Sequence, residues 1–313
     1  MKRAYISTGL FFAALVASSS GQAQEGVTVP AAAPIDTPIA TPIRIPDGPY
    51  LGQTPPGSTA KPFAPGIVNT ETWGDAIGFS LDMNELYVSR WRHSDDVREP
   101  ESVTFKRMDD GWHQIAVPAG TQRPVPSPDG KTLHFKSQYK ERTKDGWSEM
   151  KSLGPGFEAI HIMGLKSSAK GTLVLDERGG PEGDGVIRYS RLIDGKREDP
   201  QPFGKEINTG TWNAHPYIAP DESYLLWDGE RASGFGSSDL YISFRQPDGS
   251  WGEAINMGET VNTEAEEGGP QVTPDGKYLF FNRMVPRANG GEGSQSDLYW
   301  IDAQLIEALR PKP

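Results

Sequence analysis

The sequence predicts an all-β chain folded as a five-bladed β-propeller, its ring closed by a strand from the N-terminal side. Three observations carry that expectation. An Arg-x-x-Asp-Gly string occurs four times, at Arg107, Arg142, Arg191 and Arg245. A turn of Ser-Pro-Asp-Gly type leading into a short apolar strand occurs five times, counting degenerate copies, at intervals of about 40 to 55 residues. A segment ahead of the first unit also repeats a piece that the last unit lacks. Composition agrees, because 36 Gly and 27 Pro in 313 residues favour many short strands over long helices.

The first residues read as an export signal. Lys2 and Arg3 precede the apolar run Leu10 to Ala17, and a small-polar stretch ends at Gly21-Gln22-Ala23, so cleavage is expected after Ala23. A short buried helix would leave that charged start and small-residue tail unexplained. Removal takes away two cations and no acid, so the mature chain is more acidic than the full one. A periplasmic location is expected, where a fold with a large enough core needs no disulfide. Residues 24–58 are expected to be an extended linker. Pro30, Pro34, Pro38, Pro42 and Pro46 recur every four residues, fixing φ and removing backbone donors.

Residues 59–313 are expected to form the propeller. Asp-Gly in each Arg-x-x-Asp-Gly string suits a tight hairpin, and Trp112, Trp147 and Trp251 start the outgoing strand in three of the four. Between the hairpins lie Ser127-Pro128-Asp129-Gly130, Ala219-Pro220-Asp221-Glu222 and Thr273-Pro274-Asp275-Gly276, with degenerate copies at Ser80 and Ser168. Each feeds an apolar or aromatic strand. The fifth unit then runs into a short helical pattern, Asp302 to Leu309, without its hairpin or outer strand. Pro62-Phe63 through Ile67, Asn69 and Thr70 parallels Pro202-Phe203 through Ile207-Asn208-Thr209, and Val261-Asn262-Thr263. The N-terminal strand is therefore expected to complete the last blade and leave no open sheet edge. Six blades would need a unit that the sequence does not contain.

The Pro-Asp-Gly-Lys turns and the Ser238-Asp-Leu-Tyr…Asp-Gly-Ser-Trp251 string resemble the WD40-like repeat of TolB-type bacterial envelope propellers. The resemblance spans residues 60–310 and weakens in units one and three, where Pro-Asp is absent. It implies a periplasmic propeller, usually without catalysis, that binds proteins or other ligands.

Several function classes fall on composition. Without Cys there is no disulfide scaffold, thiolate metal site or cysteine nucleophile. A formal charge of -11 opposes a nucleic-acid groove. No apolar run reaches the roughly 20 residues that would span a bilayer, so no membrane insertion is expected. Gly-x-Ser-x-Gly, His-Glu-x-x-His and phosphate-loop motifs are missing. The acidic Gly-rich loops, such as Arg178 to Asp184, do not follow the order of a calcium loop. No cofactor and no metal are expected.

The polar residues just before the Pro-Asp turns are the candidate site. Asp75, Arg123, His161, His215, Glu266 and Glu267 come from five units and would converge on the channel rim. His215 stands out, since carboxylates across the channel would raise its pKa. Against this, every propeller channel is polar and hydrated. Trp73 and Trp212 lie near the same strand starts, as stacking platforms for a sugar or as packing between blades. The reading is an exported, non-catalytic binding or scaffold module holding an envelope protein, peptide or glycan at the rim. The alternative is a glycan-processing hydrolase or lyase using Glu267, Asp75 and His215. Fold alone does not choose between them.

Overall fold

Among the described residues, five antiparallel blade sheets, four of four strands and one of five, follow one another along the chain, each beginning with the strand nearest the axis. The structure, a computed structural model, describes residues 45–70, 72–94, 97–115, 124–179, 185–287 and 293–312. For residues 75, 92–94, 97 and 98 it describes the backbone alone. The expected signal and the first part of the expected linker lie outside the described residues. Among those described, no helix is long and apolar enough to cross a membrane.

Blade 1 comprises Trp73–Phe79, Glu85–Ser94, Val97–Met108 and Gly111–Ile115. Blade 2 has Val125–Pro126, Thr132–Phe135, Gln138–Thr143 and Lys151–Ser152, with Gly146–Trp147 hairpinned onto its third strand. Its strands are short because Pro124, Pro126 and Pro128 alternate and cannot donate to a ladder. Blade 3 has Ile162–Ser167, Leu173–Glu177, Val186–Ser190 and Gln201–Pro202; blade 4 has Trp212–Ile218, Tyr224–Glu230, Asp239–Phe244 and Ile255–Asn256. Blade 5 takes Glu267–Val272, Tyr278–Pro286 and Ser294–Asp302 from the C-terminal end, and Lys61–Pro62 as its outer strand. The helical pattern appears as Gln304–Ala308, which buries Ile306.

The turn motif works through its first hydroxyl. Ser80, Ser127 and Thr273 each donate to the Asp two residues on, and accept the N–H five residues on, at 2.8, 2.9 and 3.1 Å. The Ser80 copy thus folds as its Pro-Asp relatives do, although Pro is missing. In the hairpins, the Arg guanidinium lies over the following Trp, 4.9 Å from the ring centre for Arg142 on Trp147 and 5.0 Å for Arg245 on Trp251.

The Ile/Val-Asn-Thr string is the blade clamp. The Asn69 amide accepts the N–H of Leu298 and donates to its C=O, both at 2.8 Å. Asn208 does the same to Ile187 at 2.8 and 3.0 Å, and Asn262 to Leu240 at the same distances. In blades 3 and 4 the clamp is local. In blade 5 it joins residues 229 apart and, with Lys61↔Trp300 and Phe63 N–H on the Leu298 C=O, closes the ring.

Part of the expected linker packs on the propeller. Tyr50 and Leu51 are buried in the layer between blades 5 and 1, where Tyr50 packs edge-on against Tyr278 and donates to Asp275 at 2.5 Å. Two large apolar side chains among the prolines outweigh the extended preference there. The core is a series of such layers between blades. One is built on Phe157, Ile162, Leu165, Leu173 and Leu175.

Asn69→Ala leaves the N–H and C=O of Leu298 without their side-chain partner. It should cost about 2 to 3 kcal/mol in urea unfolding, somewhat less than Asn262→Ala, which loses the matching pair and a further bond to Asn256. A neutral Asn69→Ala would mean that closure does not rest on the clamp.

Candidate functional site

The axis is lined by the first strand of every blade. On the face of the Pro-Asp turns, Phe79, Pro126, Ser167, Ile218 and Val272, one from each blade, surround a cavity of about 230 Å³. Lys166 reaches across it to donate to Gln271 at 2.5 Å, tying blade 3 to blade 5. The opposite face, where the first strands begin, carries the rim residues.

There the first strands of blades 1, 3, 4 and 5 each break register near their starts, at Gly74/Ala76, Ile162/Leu165, Ala214/Tyr217 and Gly268/Gln271. In blades 4 and 5 a Pro inside the irregularity, Pro216 or Pro270, removes a ladder donor. The residue before that Pro is Gly269 in blade 5, at φ +62°, and His215 in blade 4, at φ +48°. Left-handed backbone is easy for Gly and costs about 1 kcal/mol for an L side chain. Blade 4 carries that strain and presents an imidazole in return.

Two buried carboxylates hold it there. Asp176, wholly buried on the second strand of blade 3, accepts the N–H of Gly164 at 2.6 Å and of His215 at 2.7 Å. Asp228, the matching residue of blade 4, accepts His215 Nδ1 and the N–H of Gly269, both at 2.9 Å. Each Asp thus joins its own blade to the next, and the pair runs from blade 3 through His215 to blade 5. Burial pushes the Asp176 carboxyl above the usual range, opposed by the His215 charge and the two N–H donors. The His215 side chain stays 46 % exposed while Asp228 is closed off.

Glu266 stands beside them, exposed at the rim. Desolvation by the surrounding protein raises its pKa, and the nearby Asp228 carboxylate adds to this, with His215 acting in the opposite sense. Glu267 is not a rim group. It is fully buried, accepts from Thr263 through its N–H at 3.0 Å and hydroxyl at 2.6 Å, and pairs with Arg283 at 2.7 Å. Strand alternation turns it inward as a brace of blade 5. His161 is exposed ahead of blade 3, its C=O accepting the N–H of Arg178. Asp75 lies at the blade 1 irregularity with its side chain outside the described atoms, and Arg123 lies outside the described residues. The structure therefore brings His215 and Glu266 together. It adds Asp176 and Asp228, whose signal in the sequence is an acid ending the apolar runs Leu173-Val-Leu and Leu225-Leu-Trp. Among the described residues, no group of three or more His, Asp or Glu is placed to hold a metal ion.

No family model matches the chain, and no curated protein does. Among solved structures it is similar to TolB from Acinetobacter baumannii at 13% identity and a TM-score of 0.41, covering 72% of this chain and 57% of that one. It is also similar to the catalytic domain of a Coprinopsis cinerea GH62 α-L-arabinofuranosidase, at 9% identity and 0.45, over 78% of this chain and 97% of that one. A thermostable family-43 glycoside hydrolase gives 13% and 0.43, over 74% and 90%. The chain is a five-bladed β-propeller by its own strand order.

Glu266→Gln removes a carboxylate that the fold keeps protonated more readily than the unfolded chain does. The penalty is absent below the ordinary Glu range and complete above the raised folded pKa, so stability falls as pH rises between them. Glu266→Gln should therefore raise Tm at neutral pH and match wild type at strongly acid pH. An equal Tm difference at both would mean that its charge carries no penalty.

Proposed function

We propose that the protein is an exported, periplasmic binding propeller of TolB type, holding an envelope protein, peptide or glycan on the rim that bears His215 and Glu266. The observation that carries this reading is His215 itself. A ring-bearing residue occupies a backbone position better suited to Gly, is gripped by carboxylates of two blades, and keeps its imidazole open to solvent. Strain of that kind persists where a side chain is needed in one place. The export signal and the acidic balance fit a location outside the cytoplasm and a partner other than nucleic acid.

The hydrolase reading has one observation of its own, the Asp228–His215 pair beside Glu266. It comes second because two-carboxylate chemistry needs both acids open to the substrate, about 5 to 10 Å apart. Asp176, Asp228 and Glu267 are all buried.

Crosslinking in intact cells compares wild type with His215→Asn, which tolerates the left-handed backbone. A discrete adduct should form with wild type and fall about tenfold with the variant. Turnover of aryl glycosides that disappears in Glu266→Gln would replace the binding reading with the hydrolase one.

A further inference from the structure

The blades repeat closely enough that each position can be compared around the ring. On the second strand, the residue after the invariant Leu is Tyr87, Val174, Leu226 and Phe280 in four blades, and His134 in blade 2. At the end of the first strand, Phe79, Pro126, Ile218 and Val272 are matched in blade 3 by Ser167. Opposite the hairpin arginine, Trp112, Trp147 and Trp251 are matched in blade 3 by Glu198, and Arg197 is the residue before it. The two departures from an apolar repeat, His134 and Ser167, fall at one place, beside Arg197. His134, Ser167 and Arg197 all line the cleft between blades 2 and 3, a cavity of about 440 Å³ on the face of the Pro-Asp turns. The cleft between blades 3 and 4 sets Tyr189, Phe203, Ile218 and Trp251 beside the charged Arg191, Glu206, Glu222 and Arg245.

The polar groups in this cleft are unspent. His134 is 4 % exposed and Ser167 6 %, and neither His134 Nδ1 nor Ser167 Oγ has a hydrogen-bond partner among the described residues. Buried polar atoms left unpaired weaken a fold, and here the repeat offers apolar residues that would avoid the loss. Arg197 is half-buried and forms no ion pair among the described residues; its Nη1 donates to the C=O groups of Gly171 and Ser190 at 2.7 and 3.0 Å. Burial, helped by the Arg197 charge and opposed by Asp129, pushes the His134 pKa down to about 4, so the imidazole is neutral at pH 7. The carboxylates on the cavity wall, Asp129 and Glu141, are already paired with Lys131 and Lys151.

We infer that the cleft between blades 2 and 3 is a second binding site, for a hydroxylated monocarboxylate of the sugar-acid class. Arg197 supplies the one uncompensated charge and receives the carboxylate, with Ser167 Oγ and His134 Nδ1 as the buried hydrogen-bonding groups that a ligand completes. Asp129 and Glu141 accept from ligand hydroxyls and repel a second negative charge, which selects against phosphate and dicarboxylates. This site is independent of the rim and does not rest on the function proposed for it.

Calorimetric titration of the full chain with sodium glucuronate, glucose and inorganic phosphate tests it. Glucuronate should bind saturably, with glucose and phosphate weaker by about tenfold or more. Ser167→Val restores the residue type of Ile218 and Val272, so it should raise Tm while weakening glucuronate about tenfold. Arg197→Gln, checked as folded, should abolish binding. Absent glucuronate binding, glucose or phosphate binding as tightly, or a Ser167→Val protein with unchanged affinity would each overturn the inference.

Discussion

Ring closure is the constraint on which the rest of this structure depends. A propeller whose last blade lacked its outer strand would expose a sheet edge and leave a core layer open to water. Here the missing strand comes from residues 61–62, and the Asn69 amide locks it to Leu298 by the same two hydrogen bonds that Asn208 and Asn262 make within their blades. The layer that this closes is rich in aromatics, with Phe63 against Phe280 at 4.9 Å and against Trp300 at 5.2 Å. Tyr50 and Leu51, from within the expected linker, cover it. The rim and the clefts hold their geometry only because every blade has two neighbours.

A closed ring of repeats also makes function visible as departure. Most positions serve the repeat: hydroxyls cap turns, arginines lie over tryptophans, asparagines clamp strands. His215 departs where the matching residue is Gly269, and it is held by Asp176 and Asp228 from two blades. His134 and Ser167 depart where the other blades carry apolar or aromatic residues, and they meet Arg197 in one cleft. Neither set improves packing. One strains the backbone and the other leaves buried polar atoms without partners, and the two proposals rest on these departures.

Much of the architecture was legible in the sequence because it is written in short-range chemistry. Turn motifs and Asp-Gly hairpins act within a few residues, the three Asn-Thr strings recur as recognisable copies, and the spacing of all of them marks the blade count and the closing strand. The rim was legible in part. His215 and Glu266 do stand together, but Glu267 faces inward, because its side depends on the register of an irregular strand. Asp176 and Asp228 escaped notice since an acid within a buried strand reads as a strand end until its N–H partners on the next blade are seen. The cleft residues were invisible for a similar reason. His134 and Ser167 are unremarkable one by one, and only comparison across blades sets each against its four counterparts.

Native-state hydrogen exchange tests the closure most directly. The amides of Leu298, Ile187 and Leu240 all donate to a clamp Asn, so they report the seam and two ordinary blades on one scale. The account predicts that all three exchange only through global unfolding, with opening free energies within about 1 kcal/mol of one another. A Leu298 amide that opens several kcal/mol more easily than the other two would mean that the ring frays at blade 5, and would contradict it.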